Sequence, residues 1–381
     1  MIMEATILNK DFVAVGIIDI YKSFIWTDRY DEYGDFEIYI PISDGLPENI
    51  QRGYYLWTAG SEHIMIIESI VIETDEDAIP CYAISGRSLE SILTRRIIWG
   101  KKIFKMDEVT KIEPNLQESI KTIFEENIIN PVASRQIPNF IFEESTDEKI
   151  TSLTLEAEYM GDEIYNVVKK LCQENEIGFK VTLNNNNQFV FKLYAGVDRS
   201  YGDPDSDEQQ ITNSYVIFSP KYDNLFNSKY LESDEKWKNV AIVFGETKYN
   251  EDGEIESTIT HEVGTAAGLE RREAYTDATS LSWEDELGGI MKSERYEAIL
   301  RQKGIDTLIE NTQNIAFTGE VDPYSMFIYG RDYFIGDIVQ ICNEYGNEGR
   351  AYISEYVLSC DANGKSAYPT FKIIQKGVYE T

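Results

Sequence analysis

Histidine is nearly missing from this chain: His63 and His261 are the whole supply in 381 residues. Catalytic triads and histidine-based metal sites therefore have almost no material to work with. Cysteine is scarce as well. Cys81, Cys172, Cys342 and Cys360 lie far apart with no CxxC pair, which excludes a zinc ribbon and a dense disulfide framework and fits folding in a reducing compartment. Phosphate cradles and nucleophile elbows are unsupported, since GxxxxGK[ST], GxGxxG and GxSxG do not occur. No stretch approaches the roughly 18 apolar residues of a membrane span. The opening MIMEATILNKDF has no basic region followed by an apolar core, so no signal peptide is expected. Basic residues are outnumbered, 35 Lys and Arg against 67 Asp and Glu, for a net charge of -32. A stable nucleic-acid-binding surface is not expected from that balance. The acidity serves solubility or supplies a functional field, and both readings stay open.

Aromatic residues are plentiful, with 25 Tyr and 17 Phe, and suit a β-rich fold with ample core. From Phe12 to Ser85 short apolar or alternating runs, FVAVGIIDIY, FIWT, DFEIYIP, YYLWT, HIMIIESIVIE and CYAIS, are broken by Gly, Pro and Asp. That punctuation predicts a small antiparallel barrel or sandwich. Within it Phe36, Ile38 and Ile40 fall on one strand face, and Pro41 ends the strand. RSLESILTRRIIW then predicts a short helical turn carrying Leu89, Ile92 and Leu93.

The middle of the chain changes period. Leu116, Ile120, Ile123, Phe124 and Ile128 predict an amphipathic helix, with Asn115 and Glu118 as N-cap and N3 partner. Ile164, Val167, Val168 and Leu171 predict a second helix ending near Gly178. A hairpin follows, in which Phe179, Val181 and Leu183 alternate, Asn184 to Asn187 turns, and Phe189, Phe191 and Leu193 return. The polar stretch from Ala195 to Asn213 reads as an exposed loop. Strands return in VIFSP, VAIVFGE and STITHEV, then a helix around Tyr296, Ile299, Leu300, Ile305 and Leu308. NIAFTGEV, DIVQIC, RAYISEYVLSC and YPTFKII close the pattern, with Asn363-Gly364 predicted as a two-residue turn.

Few residues offer chemistry. His63 opens an apolar strand and reads as a strand-edge residue with a satisfied ring. His261, in THEVGTAAG, is not part of HExxH and reads as a loop or strand-end residue. Both are expected to be dispensable. Asp203, Asp205 and Asp207 alternate as a hard cation would require, but without the Gly and distal Glu of an EF-hand loop. A solvated acidic loop is the plainer reading. No catalytic residue and no cofactor site are expected.

GIIDIYKSFIWTDRYDEYGDFEIYIP with ISGRSLESILTRRI, MGDEIYNVVKKLCQENEIGFKV with FVFKLYAGVDRS, FSPKYDNLFNSKY with WKNVAIVFGE, and YGRDYFIGDIVQIC resemble, in the same order, the siphovirus tail-associated (Tal-like) tail-tip and baseplate hub family. Arg87, Arg95, Arg96 and Gly330 through Asp337 are the positions carried over as structural. The resemblance implies an α+β, β-rich hub-like architecture with two small β-barrel domains and a peripheral α/β domain. The expected boundaries are 1–99, 100–210 and 211–381.

The resemblance further implies a non-enzymatic structural hub at the virion tail tip, assembled in the host bacterial cytoplasm. It would form a homotrimeric ring that closes the tube, through which DNA passes without stable binding. Expected partners are the distal tail protein, the tape-measure protein and receptor-binding or fibre proteins. Thr381 follows shortly after the last expected strand, so no cell-wall hydrolase domain is expected. A host-surface carbohydrate-binding module is the alternative, with a cell-wall hydrolase behind it.

Overall fold

The computed structural model describes residues 3–46, 49–74, 78–106, 114–201, 213–249, 255–279, 281, 293–312, 314–324, 326–343 and 348–373. Seven strands come first: β1 (Ala5–Leu8), β2 (Ala14–Ile18), β3 (Ser23–Arg29), β4 (Asp35–Pro41), β5 (Tyr55–Trp57), β6 (Ile64–Thr74) and β7 (Pro80–Ser88). They line up as β2-β1-β5-β6-β7-β4-β3. The alternation in β4 works as predicted, since Phe36, Ile38 and Ile40 are all buried. They join Phe24, Trp26, Met65, Ile67 and Ile84 in one core.

The chain then builds an α/β unit. It comprises β8 (Lys101–Phe104), α1 (Leu116–Phe124), β9 (Phe140–Glu143), α2 (Glu148–Thr151), β10 (Ala157–Met160), α3 (Ile164–Glu174), β11 (Gly178–Leu183) and β12 (Phe189–Tyr194). The hairpin β11–β12 is antiparallel and β9 joins β12 in parallel. At the start of α1 the Asn115 side chain accepts from the Glu118 backbone N–H at 3.1 Å, a cap of about 1 kcal/mol. The 3-10 helix Leu89–Arg95 sends Leu89, Ile92 and Leu93 into this unit's core, against α1, α3 and the hairpin.

The remaining elements are β13 (Ile217–Phe218), β14 (Phe226–Ser233), β15 (Val240–Tyr249), β16 (Ile255–Val263), β17 (Glu273–Asp277), α4 (Ser293–Glu310), β18 (Asn314–Glu320), β19 (Ile338–Cys342), β20 (Glu348–Asp361) and β21 (Gly364–Ile373). β16-β15-β17 form a separate sheet, over which Tyr296 and Leu300 of α4 pack on Val243. The others continue the N-terminal sheet into one of 13 strands, ordered β14-β18-β21-β20-β3-β4-β7-β6-β5-β1-β2, with β19 also paired to β20 and β13 to β19.

β20 is the splice. Its first half pairs with β19 and its second half, Glu355 to Asp361, pairs with β3 from Arg29 to Ser23. Arg29 ties the splice further, donating from Nε to Glu355 at 2.7 Å. The sheet serves two cores: Cys360 packs with Phe24 and Trp26, whereas Tyr30, just past β3, packs with Phe218, Tyr333, Tyr352 and Phe371. The chain is thus α+β and β-rich. Pairing among the described residues closes neither lobe into a barrel, and β2 and β14 stand at the two edges.

Two local expectations need correction. Asp361 pairs with Gly364, so the last hairpin turns through Ala362-Asn363 and Gly364, at φ +122°, opens the next strand. The exposed loop expected from Ala195 is not loose at its start. The Arg199 N–H donates to Ile338 at 2.7 Å, and the Ile338 N–H donates to Val197 at 3.0 Å. This segment therefore lies along β19 with its backbone groups paired.

Candidate functional site

The three parts of the chain meet around Tyr30. Its hydroxyl accepts from the Gly196 N–H at 3.1 Å and lies 3.3 Å from the Glu176 carbonyl. A Cβ on Gly196 would lie 1.8 Å from the Gly336 carbonyl oxygen, and one on Gly336 would lie 2.2 Å from the Tyr30 ring. Gly336 also holds φ at +87°. Glycine is required there on both counts.

Two buried carboxylates fasten the same junction. Asp337 accepts from Val197 N–H at 2.8 Å, Phe334 N–H at 3.0 Å and Arg199 Nε at 2.6 Å. It thereby binds the exit of the α/β unit to the start of β19. Asp28, 1% exposed, accepts from Trp26 Nε1 at 2.9 Å, Ser61 Oγ at 2.8 Å and Tyr329 OH at 3.0 Å. Charge-assisted bonds of this kind are about twice as strong as neutral ones.

His63 is part of this structure. It is buried, and its Nδ1–H donates to Glu90 Oε1 at 3.1 Å, an oxygen that also accepts from the Val181 N–H at 2.7 Å. Burial alone would lower the imidazole pKa, but the Glu90 and Asp28 charges lift it to about 9. Burial would raise Glu90, and the His63 charge together with hydrogen bonds from His63, Ser88 and the Val181 N–H more than offsets this and holds it below the usual carboxylate range. The expected satisfied ring is present, with a charge partner that the sequence did not reveal.

Between these groups lies a cleft of about 470 Å³, lined by Ser61, His63, Lys180, Tyr194, Tyr329 and Phe334 among others. Ser61 and His63 do not form a nucleophile and base. Ser61 Oγ donates to Asp28 and accepts from the His63 backbone N–H at 3.1 Å, while the ring bonds to Glu90. The arrangement immobilises three chain segments. Among the described residues no group of His, Cys, Asp and Glu has the geometry to hold a metal ion, and no helix is long and apolar enough to cross a membrane. Asp203, Asp205 and Asp207 lie outside the described residues.

The carried-over positions separate. Gly330 through Asp337 fall in the junction, with Gly330 at φ +79°. Arg87 clamps Glu68 through Nε and Nη2 at 2.7 and 3.0 Å. Arg96 donates to the Arg135 carbonyl at 2.6 Å, and Arg95 is exposed. Sequence reasoning missed Tyr30, Asp28 and Glu90. A carboxylate inside the apolar turn LESIL was the available signal for Glu90. His261 lies on β16 opposite Val243.

No curated protein matches the chain. The fold is similar over nearly its whole length to the 43 kDa tail protein of prophage MuSo2 from Shewanella oneidensis, at a TM-score of 0.58 and 13% identity, covering 97% of this chain and 98% of that one. It is also similar to the tail protein from Neisseria meningitidis MC58, at a TM-score of 0.54 and 11% identity, covering 100% and 98%. A family model described as siphovirus ReqiPepy6 Gp37-like protein matches residues 4–371.

Proposed function

The chain belongs to that siphovirus protein family, and from this premise we propose that it is the structural hub of a bacteriophage tail tip. A tail structural role follows from the family; the hub reading is finer. Three copies close a ring through their sheet lobes, each lobe acting as a barrel-like domain around a channel, and the α/β unit faces outward. The working division is 1–99, 100–210 and 211–381, with the turn Leu89–Arg95 shared between the first two. The ring anchors the tape-measure and distal tail proteins above and host-facing proteins below. It assembles in the host cytoplasm and resides in the virion tail, with no bond chemistry of its own.

The observation that carries the reading is the match of 4–371, nearly the entire chain, to one siphovirus family. The splice at β20 supports it physically. A single sheet feeding two cores makes a stiff body with an edge strand at each end, and edge strands are suited to pairing or packing between copies in a closed cycle. Multi-angle light scattering at micromolar concentration, with negative-stain imaging, tests it. The expected result is a trimer of annular shape, alone or with a tail partner. Monomers or dimers under both conditions would overturn the ring. Monomers retained on host cell-wall glycans would favour a carbohydrate-binding module instead.

A further inference from the structure

Arg95 to Lys105, RRIIWGKKIFK, holds five basic residues and no acid in a chain of net charge -32. It leaves the first lobe and enters β8. At its centre Trp99 is 69% exposed, an unusual position for so large an aromatic surface. The exposure is held in place. The Trp99 backbone N–H donates to the buried Asn127 side-chain oxygen at 2.8 Å, and the Arg135 guanidinium lies over the indole ring at 5.2 Å. Arg135 is fixed in turn by donating to the Ile97 carbonyl at 2.7 Å.

Exposed aliphatic residues lie on the same and the neighbouring backbone segments. Ile97, Val132 and Met160 are 46%, 69% and 73% exposed. Val132 closes a turn with Arg135, and Met160 pairs with Lys101. The charges are sorted around this patch: Lys101 and Lys102 pair with Glu158 and Glu126. Arg95 and Arg135 have no carboxylate at ion-pair distance among the described residues. In a chain with nearly two acids per base, the Arg135 guanidinium over an exposed tryptophan, with Arg95 four residues before that tryptophan in the chain, makes a surface complementary to carboxylates.

We propose that the Trp99–Arg135 face docks a segment of a different tail protein in which an apolar side chain is flanked by Asp or Glu. The apolar side chain covers Trp99, Ile97 and Met160, and the carboxylates take Arg95 and Arg135. Trp and Arg are the residues enriched in binding hot spots. An aromatic ring already fixed by its neighbours loses little freedom on docking. A phosphate polymer fits worse, because it gains nothing from Ile97, Val132 and Met160 and the two adjacent lysines are engaged. The choice of a different protein over a second copy rests on the ring reading, which turns the α/β unit outward.

The test uses tail particles carrying the photo-reactive residue p-benzoylphenylalanine in place of Trp99. Irradiation and peptide mass spectrometry should give an adduct to another tail protein within about three residues of an Asp or Glu. In particles with Trp99→Ser or Arg135→Glu that protein should fall at least about tenfold in copy number. The purified Trp99→Ser chain should keep its melting temperature, which separates lost docking from lost folding. An adduct only to a second copy, an adduct to nucleic acid, or no adduct in particles that contain the chain overturns the inference. A chain absent from the particles removes the tail reading, and this inference with it.

Discussion

His63 and Glu90 form a buried ion pair, and removing one partner leaves the other uncompensated. His63→Gln should therefore cost about 3–5 kcal/mol, whereas His261→Gln should stay within about 0.5 kcal/mol. The expectation that both histidines are dispensable is revised accordingly: His63 is now expected to matter for stability, and His261 is still expected to be dispensable. Urea titrations of the two variants check this. The pH dependence has a defined sign. His63 is raised in the fold from 6.5 to about 9, so its contribution is complete below about 6.5 and is lost as pH rises through 9. Glu90 is lowered from 4.5, so its contribution is lost as pH falls below the ordinary carboxylate range. The urea midpoint should fall between about pH 6.5 and 9, and the fall should be smaller in His63→Gln. Gly336→Ala tests the junction directly. It drives a methyl group into the Tyr30 ring and strains a positive φ, so a loss of about 3 kcal/mol or more is expected, read as a lower melting temperature. A melting temperature unchanged by Gly336→Ala would mean that the close approach does not hold the units together.

The contact between α3 and α4 carries its own titration. Burial, with the Asp306 and Glu310 charges, pushes Glu174 up to about 8, and Lys170 and Lys303 only partly offset this. Lys170 also bridges the helices, 3.1 Å from Glu310 and 3.4 Å from Asp306. A carboxyl raised in the fold binds its proton more tightly folded than unfolded. Its contribution is greatest below about 4.5 and declines as pH climbs to about 8. Glu174→Gln should abolish that decline and stabilise the chain at pH 9 by about 1–2 kcal/mol, a rise of a few degrees in melting temperature. An identical pH profile in the variant would contradict the assignment. At this scale the sequence is informative wherever the controlling residues are close together. The Asn115 cap spans three residues, the period of α3 spans seven, and β4 alternates over five. The junction was not legible because Tyr30 and Gly196 are 166 residues apart, and nothing local to either marks the other. The same distance in sequence concealed the splice. β20 and β3 both read as strands, but no residue in RAYISEYVLSC identifies FIWT as its neighbour.

The splice determines how the whole molecule must respond to being cut. β3 is bonded to β20 along all seven of its residues, which at about 1 kcal/mol net per hydrogen bond amounts to several kcal/mol. That is comparable with the entire stability of an ordinary domain. The second half of the chain also contributes Cys360 and Leu358 to the packing around the N-terminal core. Residues 1–99 expressed alone would therefore lose core contacts and expose β3 as a long edge strand carrying Phe24, Ile25 and Trp26, the form of edge most prone to pair with other chains. A fragment of this kind should aggregate at micromolar concentration and show no cooperative melt. Adding residues 211–381 in trans should restore solubility, because β20 can then cover β3, and hydrogen exchange should show the β3 amides protected again. A monomeric 1–99 fragment that melted cooperatively near the temperature of the full chain would show that the lobe is self-sufficient and that the splice only joins two finished domains.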